Sequence, residues 1–424
     1  MLKSGFFIVI ICQKVRSNRR SERSRDTLFI LENLMNKNQF PTDTDGCHDQ
    51  IFLNSAGSSL MPDIALKAMT DYLVKENQVG GYEFAVQEVQ NFHKFYDQVA
   101  QLLNCKPANV AFANSATDAY AKALSSIDFK ENDVILTTTD DYVSNQIAFL
   151  SLEKRFKIKI IRSKKLPNNE IDFDDFENLI TTHQPKLVAA THIPTSSGLV
   201  QNVVKIGELC QKHNLLFLLD ACQSVGQINV DVQTIKCDFL TATGRKFLRG
   251  PRGTGFLYVS DKVLKMGLEP LFIDLNGATW TAPNTYKPVD DAKRFESWEM
   301  PHAAIAGFTA TLSYLNHIGI HEIEKINTEL SCYFRQKLSE IDTIKLFDFG
   351  LHLSNIITFR DKTKSLAETE KLLKDNKICY SVATKNNAII DFEAKNVEWA
   401  IRFSPHYFNT FQEIDFVVSV LKNM

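Results

Sequence analysis

The stretch 241-TATGRKFLRGPRGTGFLYV-259 sets one lysine, Lys246, between Arg245 and the apolar pair Phe247 and Leu248, then adds Gly250, Gly253 and Gly255. Two chemistries compete for this pattern. The glycines could cradle a nucleotide phosphate, or the lysine could be the reacting group. A Walker A loop places its lysine after the glycines and a Ser or Thr after the lysine. Here the lysine comes first and Phe247 follows it. A dinucleotide site is excluded as well, because no GxGxxG follows the first strand. That leaves the lysine. A free lysine, with a pKa of about 10.4, is mostly protonated at neutral pH and a poor nucleophile. Burial and a neighbouring cation lower that pKa, and Arg245 is such a cation.

Working outward, short apolar runs recur between about 60 and 260, each followed by a helical pattern: NVAFA, DVILTT, IKIIR, KLVAATHI, LLFLLD and CDFLTAT. Strands alternating with helices imply parallel pairing, so the expected fold class is α/β with a doubly wound, mostly parallel sheet. Two amphipathic helices precede the runs, PDIALKAMTDYLVKEN and VQEVQNFHKFYDQVAQLLN. After about 300 the texture changes. Two long helical patterns, AAIAGFTATLSYLNHIG and HEIEKINTELSCYFRQKLSEI, lead to strands LSNIITFR, ICYSVA, AIIDF and WAIRFS and a last helix TFQEIDFVVSVLKN. This reads as a smaller C-terminal α+β domain. Residues 274–297 read as a long polar loop. The expected division is 1–34, 35–298 and 299–424, a length of 424 residues being more than one typical domain.

A net charge of −2 implies no polyanionic partner, so no nucleic acid is expected. The N-terminal apolar run GFFIVIIC has eight residues. A membrane-spanning helix needs about 20, and no small-residue cleavage site follows the run. Residues 1–34 are therefore expected to be disordered or an extension upstream of a start near Met35, rather than a signal or anchor. Eight cysteines are scattered without a CxxC or zinc spacing. No metal site is expected, and the thiols suit a reduced, cytoplasmic protein.

Ligands of doubly wound sheets bind beyond the carboxyl ends of the strands. There LLFLLD ends in Asp220, NVAFA runs into Asn114-Ser115-Ala116-Thr117, DVILTT runs into Tyr142, and CDFLTAT runs into Thr243, Arg245 and Lys246. Each residue fits one need of pyridoxal phosphate. Lys246 would form a Schiff base with the cofactor aldehyde. Asp220 would keep the pyridine nitrogen protonated, making the ring an electron sink. Tyr142 would stack on the ring. Ser115, Ala116 and Thr117 would hold the phosphate at a helix N-terminus, with Thr243 and Arg245 completing the grip.

The chain resembles the class V aminotransferase family of fold-type I pyridoxal-phosphate enzymes, from about residue 50 to 422. That family includes cysteine desulfurases, isopenicillin N epimerase-like proteins and ergothioneine C–S lyases. Its SxHKxxGPxGxG is met by TGRKFLRGPRGTG, its DxxQ by Asp220 and Gln223, its SGATEA by NSATDA, and its RxSxxxYNTxEEID by RFSPHYFNTFQEID. The resemblance implies Gln223 at the cofactor ring hydroxyl and Arg402 at the substrate α-carboxylate. It implies Asn54 in FLNSAGSSLMP near the substrate, Thr195 where desulfurases carry a substrate-contacting asparagine, and a homodimer with 274–297 reaching across. Two departures matter. The stretch TKNNAIIDFEAKNVEWA has no cysteine where desulfurases carry their attacking one, and RFExGT becomes RFESWE, losing a threonine that reaches the neighbouring phosphate. Thr279 or Thr281 could compensate. His192 and His302 are expected to be structural. The expected activity is a C–S lyase reaction, β-elimination on a cysteine-derived amino acid. Desulfurase-like, aminotransferase and epimerase reactions are the alternatives within the family, and a non-catalytic scaffold is the alternative outside it.

Overall fold

The computed structural model describes residues 43–422. The expectations for residues 1–34 lie outside the described residues. The chain begins with a short strand, β1 (Ile51–Phe52), and the helices Asp63–Val79, Gly81–Gln87 and Val89–Leu103. Pro62 sits at the N-cap of the first helix, one position before it begins. Seven strands then form the main sheet: β2 (Val110–Ala113), β3 (Val134–Thr137), β4 (Lys159–Arg162), β5 (Leu187–Thr191), β6 (Leu216–Asp220), β7 (Phe239–Thr243) and β8 (Gly255–Val259). Their order is β2-β8-β7-β6-β5-β3-β4, and only β8 runs against the others. The sheet is the doubly wound α/β sheet that the apolar runs predict. All five residues of β5 and of β7 are buried, as strands covered on both faces require.

The alternation of strands and helices does not announce β8, because it returns from β7 with no helix between. Gly255 makes that return possible. A Cβ there would lie 2.6 Å from the Ala242 carbonyl and 3.1 Å from the Ser115 carbonyl carbon. Gly250 serves a similar close approach, since a Cβ would lie 2.6 Å from the fully buried Phe308 ring. The glycines after Lys246 thus pack a tight return rather than cradle a nucleotide.

The polar stretch 274–297 is not the long loop expected. It contains a hairpin, β9 (Ala278–Ala282) and β10 (Thr285–Pro288), followed by a 3-10 turn at Ala292–Phe295. The alternation of Thr and Trp in ATWTA is a period-two signal that supports it. Helix His302–Ile318 packs on the two long N-terminal helices before the chain builds its second sheet. There Tyr72 Oη lies 3.3 Å from His302 Nδ1, and Asn316 Nδ2 donates to the Gln98 carbonyl at 3.0 Å.

Helix Ile320–Ser339 leads into a four-stranded antiparallel sheet of β11 (Ile344–Leu346), β12 (Ile357–Asp361), β14 (Ser381–Thr384) and β15 (Trp399–Phe403). The run ICYSVA is split, because β13 (Ile378–Cys379) leaves that sheet to pair in parallel with β1. AIIDF is not a strand; it begins helix Ile389–Lys395. Its isoleucines are exposed, while Asp391 is buried and paired with Lys395 at 2.8 Å. An i,i+4 ion pair prefers the helix, and it prevails over the β preference of two β-branched residues. Among the described residues no helix is long and apolar enough to cross a membrane.

Candidate active site

The strand order reverses between β3 and β5, and the residues just beyond these strands and their neighbours face one crevice, as the switch-point rule expects. Lys246 lies on the tight turn after β7 and is only 7% exposed. The turn is fixed by the Arg249 amide donating to the Lys246 carbonyl at 2.9 Å and the Gly250 amide to the Gly244 carbonyl at 2.7 Å. Arg249 is itself buried, donating to the Leu60 carbonyl at 2.9 Å and to Tyr407 Oη at 2.7 Å. The reactive turn is thereby anchored to both the N-terminal and the C-terminal segments.

Burial pushes the Lys246 amine below its ordinary pKa; Cys222 and Asp220 oppose the shift, while Arg245 and Arg402 add to it. Lysine has to be deprotonated to act as a nucleophile, so this is the direction its chemistry needs. The amine lies 5.7 Å from the centre of the Tyr142 ring. Tyr142 caps helix Val143–Phe156, the first element after β3.

Asp220, at the end of β6, is buried and accepts from the Cys222 amide at 2.9 Å and from Asn145 Nδ2 at 3.0 Å. Ser115 caps helix Ala116–Ser125, accepting from the Asp118 amide at 3.1 Å. That leaves the amides of Ala116 and Thr117 in the helix's first turn, with the partial positive charge of its N-terminus. Thr243 Oγ1 is 3.4 Å from the Thr254 carbonyl. Arg245 donates through its guanidinium to the Gly57 carbonyl, and its own carbonyl accepts from the Ser59 amide at 2.7 Å.

The residues expected near a substrate form one group. Arg402, in β15, is 5% exposed and directs Nη2 to Asn54 Oδ1 and Nη1 to the Thr195 carbonyl, each at 3.3 Å. Gln223 Nε2 donates to Thr195 Oγ1 and to the Ala56 carbonyl, each at 3.1 Å. Arg402 Nε and Gln223 Oε1 are buried with no hydrogen-bond partner among the described residues. Buried polar atoms are rarely left so. A cofactor hydroxyl at Gln223 and a carboxylate at Arg402 would satisfy both. Burial, with Arg245 beside it, pulls the Arg402 guanidinium down to about 10, which still leaves it charged at neutral pH.

His192 and His302 lie apart in role. His302 meets Tyr72 among the N-terminal helices, whereas His192 follows β5 and its amide donates to the Asp220 carbonyl at 2.9 Å. Thr279 and Thr281 lie on the exposed hairpin. Sequence reading missed Asp141 and Asn145, which lie behind Asp220. The candidate signal is TDDYVSN, two acids and an amide around Tyr142 just after a strand. Among the described residues no cluster of His, Cys, Asp and Glu is placed to hold a metal.

A buried lysine facing an aromatic ring, a buried carboxylate at a strand end and a capped helix N-terminus, on this sheet, define a fold-type I pyridoxal-phosphate enzyme. The chain belongs to the class V aminotransferase family, which it matches over residues 51–417. A relative named as a probable cysteine desulfurase, from Methanothermobacter thermautotrophicus, is 26% identical over 388 residues, spanning 89% of this chain and 95% of its own. Among solved structures, the apo cysteine desulfurase of Thermococcus onnurineus superposes with a TM-score of 0.84 at 21% identity, covering 91% of this chain and 96% of the other. The cystine C–S lyase C-DES, in complex with cysteine persulfide, gives 0.80 at 21% identity, covering 91% and 100%. At these identities the two structures establish the fold. The protein is a pyridoxal-phosphate-dependent enzyme.

Proposed function

We propose that the enzyme cleaves the carbon–sulfur bond of a cysteine-derived amino acid by β-elimination. Pyridoxal phosphate, when bound, supplies a ring that accepts the electron pair left at the substrate Cα. Lys246 holds the cofactor and then, as a buried amine of lowered pKa, takes up the Cα proton at Nζ. Asp220, held by the Cys222 amide and Asn145, would meet the ring nitrogen and keep it protonated. Ser115, Ala116 and Thr117 hold the phosphate, with Thr243 and Arg245 beside it. Tyr142 covers the ring face, and Gln223 meets the ring hydroxyl. Arg402 binds the α-carboxylate, flanked by Asn54 and Thr195. Loss of the Cα proton and breakage of the Cβ–S bond release the sulfur as a thiol; hydrolysis of the remainder gives pyruvate and ammonium.

The observation that carries elimination is the state of the cysteines. Cys222 neighbours Lys246 and Asp220, and burial with the Asp220 charge pushes its thiol well above the ordinary range. A thiolate is the attacking form, so Cys222 is poorly suited to take sulfur from a substrate. The stretch that lacks the desulfurase cysteine is folded as a 3-10 turn and helix Ile389–Lys395. Cys379 donates its Sγ to Gln50 Oε1 at 2.8 Å.

The second reading, a desulfurase-like reaction, is favoured by the names of the relatives. The two are separated by product. With cysteine, cystine and cysteine conjugates, elimination yields pyruvate, whereas desulfuration leaves alanine. Pyruvate release with at least half the rate retained in Cys222→Ser supports elimination. Alanine release that Cys222→Ser abolishes establishes the other. A homodimer belongs to the same proposal, supported by Phe272 and Trp280, 86% and 77% exposed beside and on the hairpin. Light scattering on wild type and Trp280→Glu checks it, a monomer in wild type being the contrary result. The free thiols among the described residues suit a cytoplasmic setting.

A further inference from the structure

Behind Asp220 stands a second carboxylate, Asp141, enclosed by donors. Its Oδ1 accepts from the Tyr142 amide at 2.7 Å, from Asn145 Nδ2 at 2.9 Å and from Thr191 Oγ1 at 2.5 Å. Its Oδ2 accepts from Gln146 Nε2 at 2.9 Å and Thr137 Oγ1 at 3.0 Å. Gln146 is oriented in turn by Arg162 Nε at 3.1 Å. Thr191 is the register partner of Asp220 across β5 and β6. The buried Asn145 side chain spans the gap, its one amide nitrogen reaching Asp141 at 2.9 Å and Asp220 at 3.0 Å. An amide nitrogen has two N–H groups, and here each carboxylate takes one.

We propose that Asp141 and Asn145 are positioning residues for the cofactor ring: Asp141 fixes the backbone of Tyr142 at the ring face, and Asn145 couples the same carboxylate to Asp220 at the ring nitrogen. The inference rests on the cofactor placement above. It explains a costly arrangement, two carboxylates enclosed near one another. Burial, with the Asp220 charge, leaves the Asp141 carboxyl above its ordinary pKa, and the Thr191, Asn145 and Gln146 donors oppose that rise. Three of its partners, the Tyr142 amide, Asn145 and Gln146, can only donate in this arrangement, which favours the anion. An ionised Asp141 adds negative potential behind Asp220 and favours a protonated ring nitrogen. Tyr120 on helix Ala116–Ser125 acts on both carboxylates, Cys222 after β6 and Lys246 after β7 act on Asp220, and Arg162 on β4 stands behind Gln146. The Tyr120 hydroxyl has no partner among the described residues.

The test uses the full chain loaded with pyridoxal phosphate and five variants: Asp141→Asn, Asn145→Ala, the isosteric Asn145→Asp, the double variant Asp141→Asn with Asn145→Ala, and Gln146→Ala. Cofactor dissociation constants and the pH midpoint of the visible band are read for each, with far-ultraviolet circular dichroism as the check on folding. Losing one charge-assisted hydrogen bond should weaken cofactor binding about tenfold in Asn145→Ala. Asp141→Asn, which keeps the shape and removes the charge, should lower the midpoint by about half a unit or more. Asn145→Ala placed on Asp141→Asn should add less than about threefold, because both act through one bridge. Gln146→Ala, which touches Asp141 but not Asp220, should lower the midpoint less than Asp141→Asn does and weaken cofactor binding less than Asn145→Ala does. Folded Asn145→Ala and Asn145→Asp proteins with wild-type affinity and midpoint would overturn the proposal. A wild type that shows no visible band with saturating cofactor would instead overturn the cofactor placement itself.

Discussion

The two ends of the main sheet's strands carry similar residues and treat them differently. At the amino end of the parallel strands, a cavity of about 750 Å³ is lined by Cys105, Lys106, Cys237, Asp238, Asp261 and Lys262. Its charges are matched: Lys106 with Asp261 at 2.5 Å and Lys262 with Asp238 at 3.2 Å. Asp238 also accepts from the Phe217 amide and from Ser260 Oγ, each at 3.0 Å. At the crevice end Lys165 and Asp140 are paired at 2.7 Å, but Lys246, Asp220 and Arg402 are buried with no ion pair among the described residues. Lys246 is buried and pushed toward neutrality, while Arg402 Nε, Gln223 Oε1 and His192 Nδ1 have no partner among the described residues. Matched charge is architecture. Buried charge left unmatched is an unfavourable state that folding tolerates where a ligand completes it.

The contrast breaks first at Lys246. Lys246→Ala should lower turnover by about a thousandfold or more with an unchanged melting curve for the apoprotein; retained turnover would remove the lysine from the chemistry. Next, Arg402→Lys keeps a charge but loses the planar fork. It should raise KM about 10- to 100-fold and move kcat by less than about threefold, measured by steady-state kinetics on a cysteine-type substrate. A fall in kcat alone would place Arg402 elsewhere.

Acid should sharpen the contrast through His192, which burial holds down to about 4. Between its ordinary pKa near 6.5 and that value, the unfolded chain binds a proton there and the folded chain does not. Stability therefore falls as the pH drops through this window. At about 1.4 kcal/mol per unit, wild type should lose about 3 kcal/mol more than His192→Asn between pH 7 and 4. Urea melts at several pH values check this, and parallel losses would contradict it. The smallest effect belongs to the amino end of the strands. Lys106→Ala breaks an exposed pair and should cost less than about 1 kcal/mol, with cofactor affinity and turnover unchanged.

The reach of the sequence differs in the same two ways. Fully buried strands such as LVAAT are legible because a strand covered on both faces has no polar alternation to hide it. Lys246, Asp220, Gln223 and Arg402 stand out in the sequence because their motifs lie at strand ends in the expected order, and the structure brings these side chains into one group. Helix Ile389–Lys395 was not, since its β-branched pair is exposed and its identity rests on where Asp391 is buried. The return strand β8 and the hairpin at 278–288 lack the strand–helix rhythm that identified the rest. Asp141 and Asn145 were illegible for a further reason. Their meaning lies in hydrogen bonds to Thr191 and Asp220, 50 and 75 positions away. No local pattern records such a separation.

The central claim is that the unmatched amine at the crevice, Lys246, holds the cofactor covalently. Borohydride reduction of the loaded enzyme, followed by proteolysis and mass mapping, tests it directly. The account predicts one dominant modification, the reduced pyridoxyl adduct on the peptide containing Lys246, and none there in Lys246→Ala. A label confined to another lysine, or no label on a protein saturated with the cofactor, would contradict it.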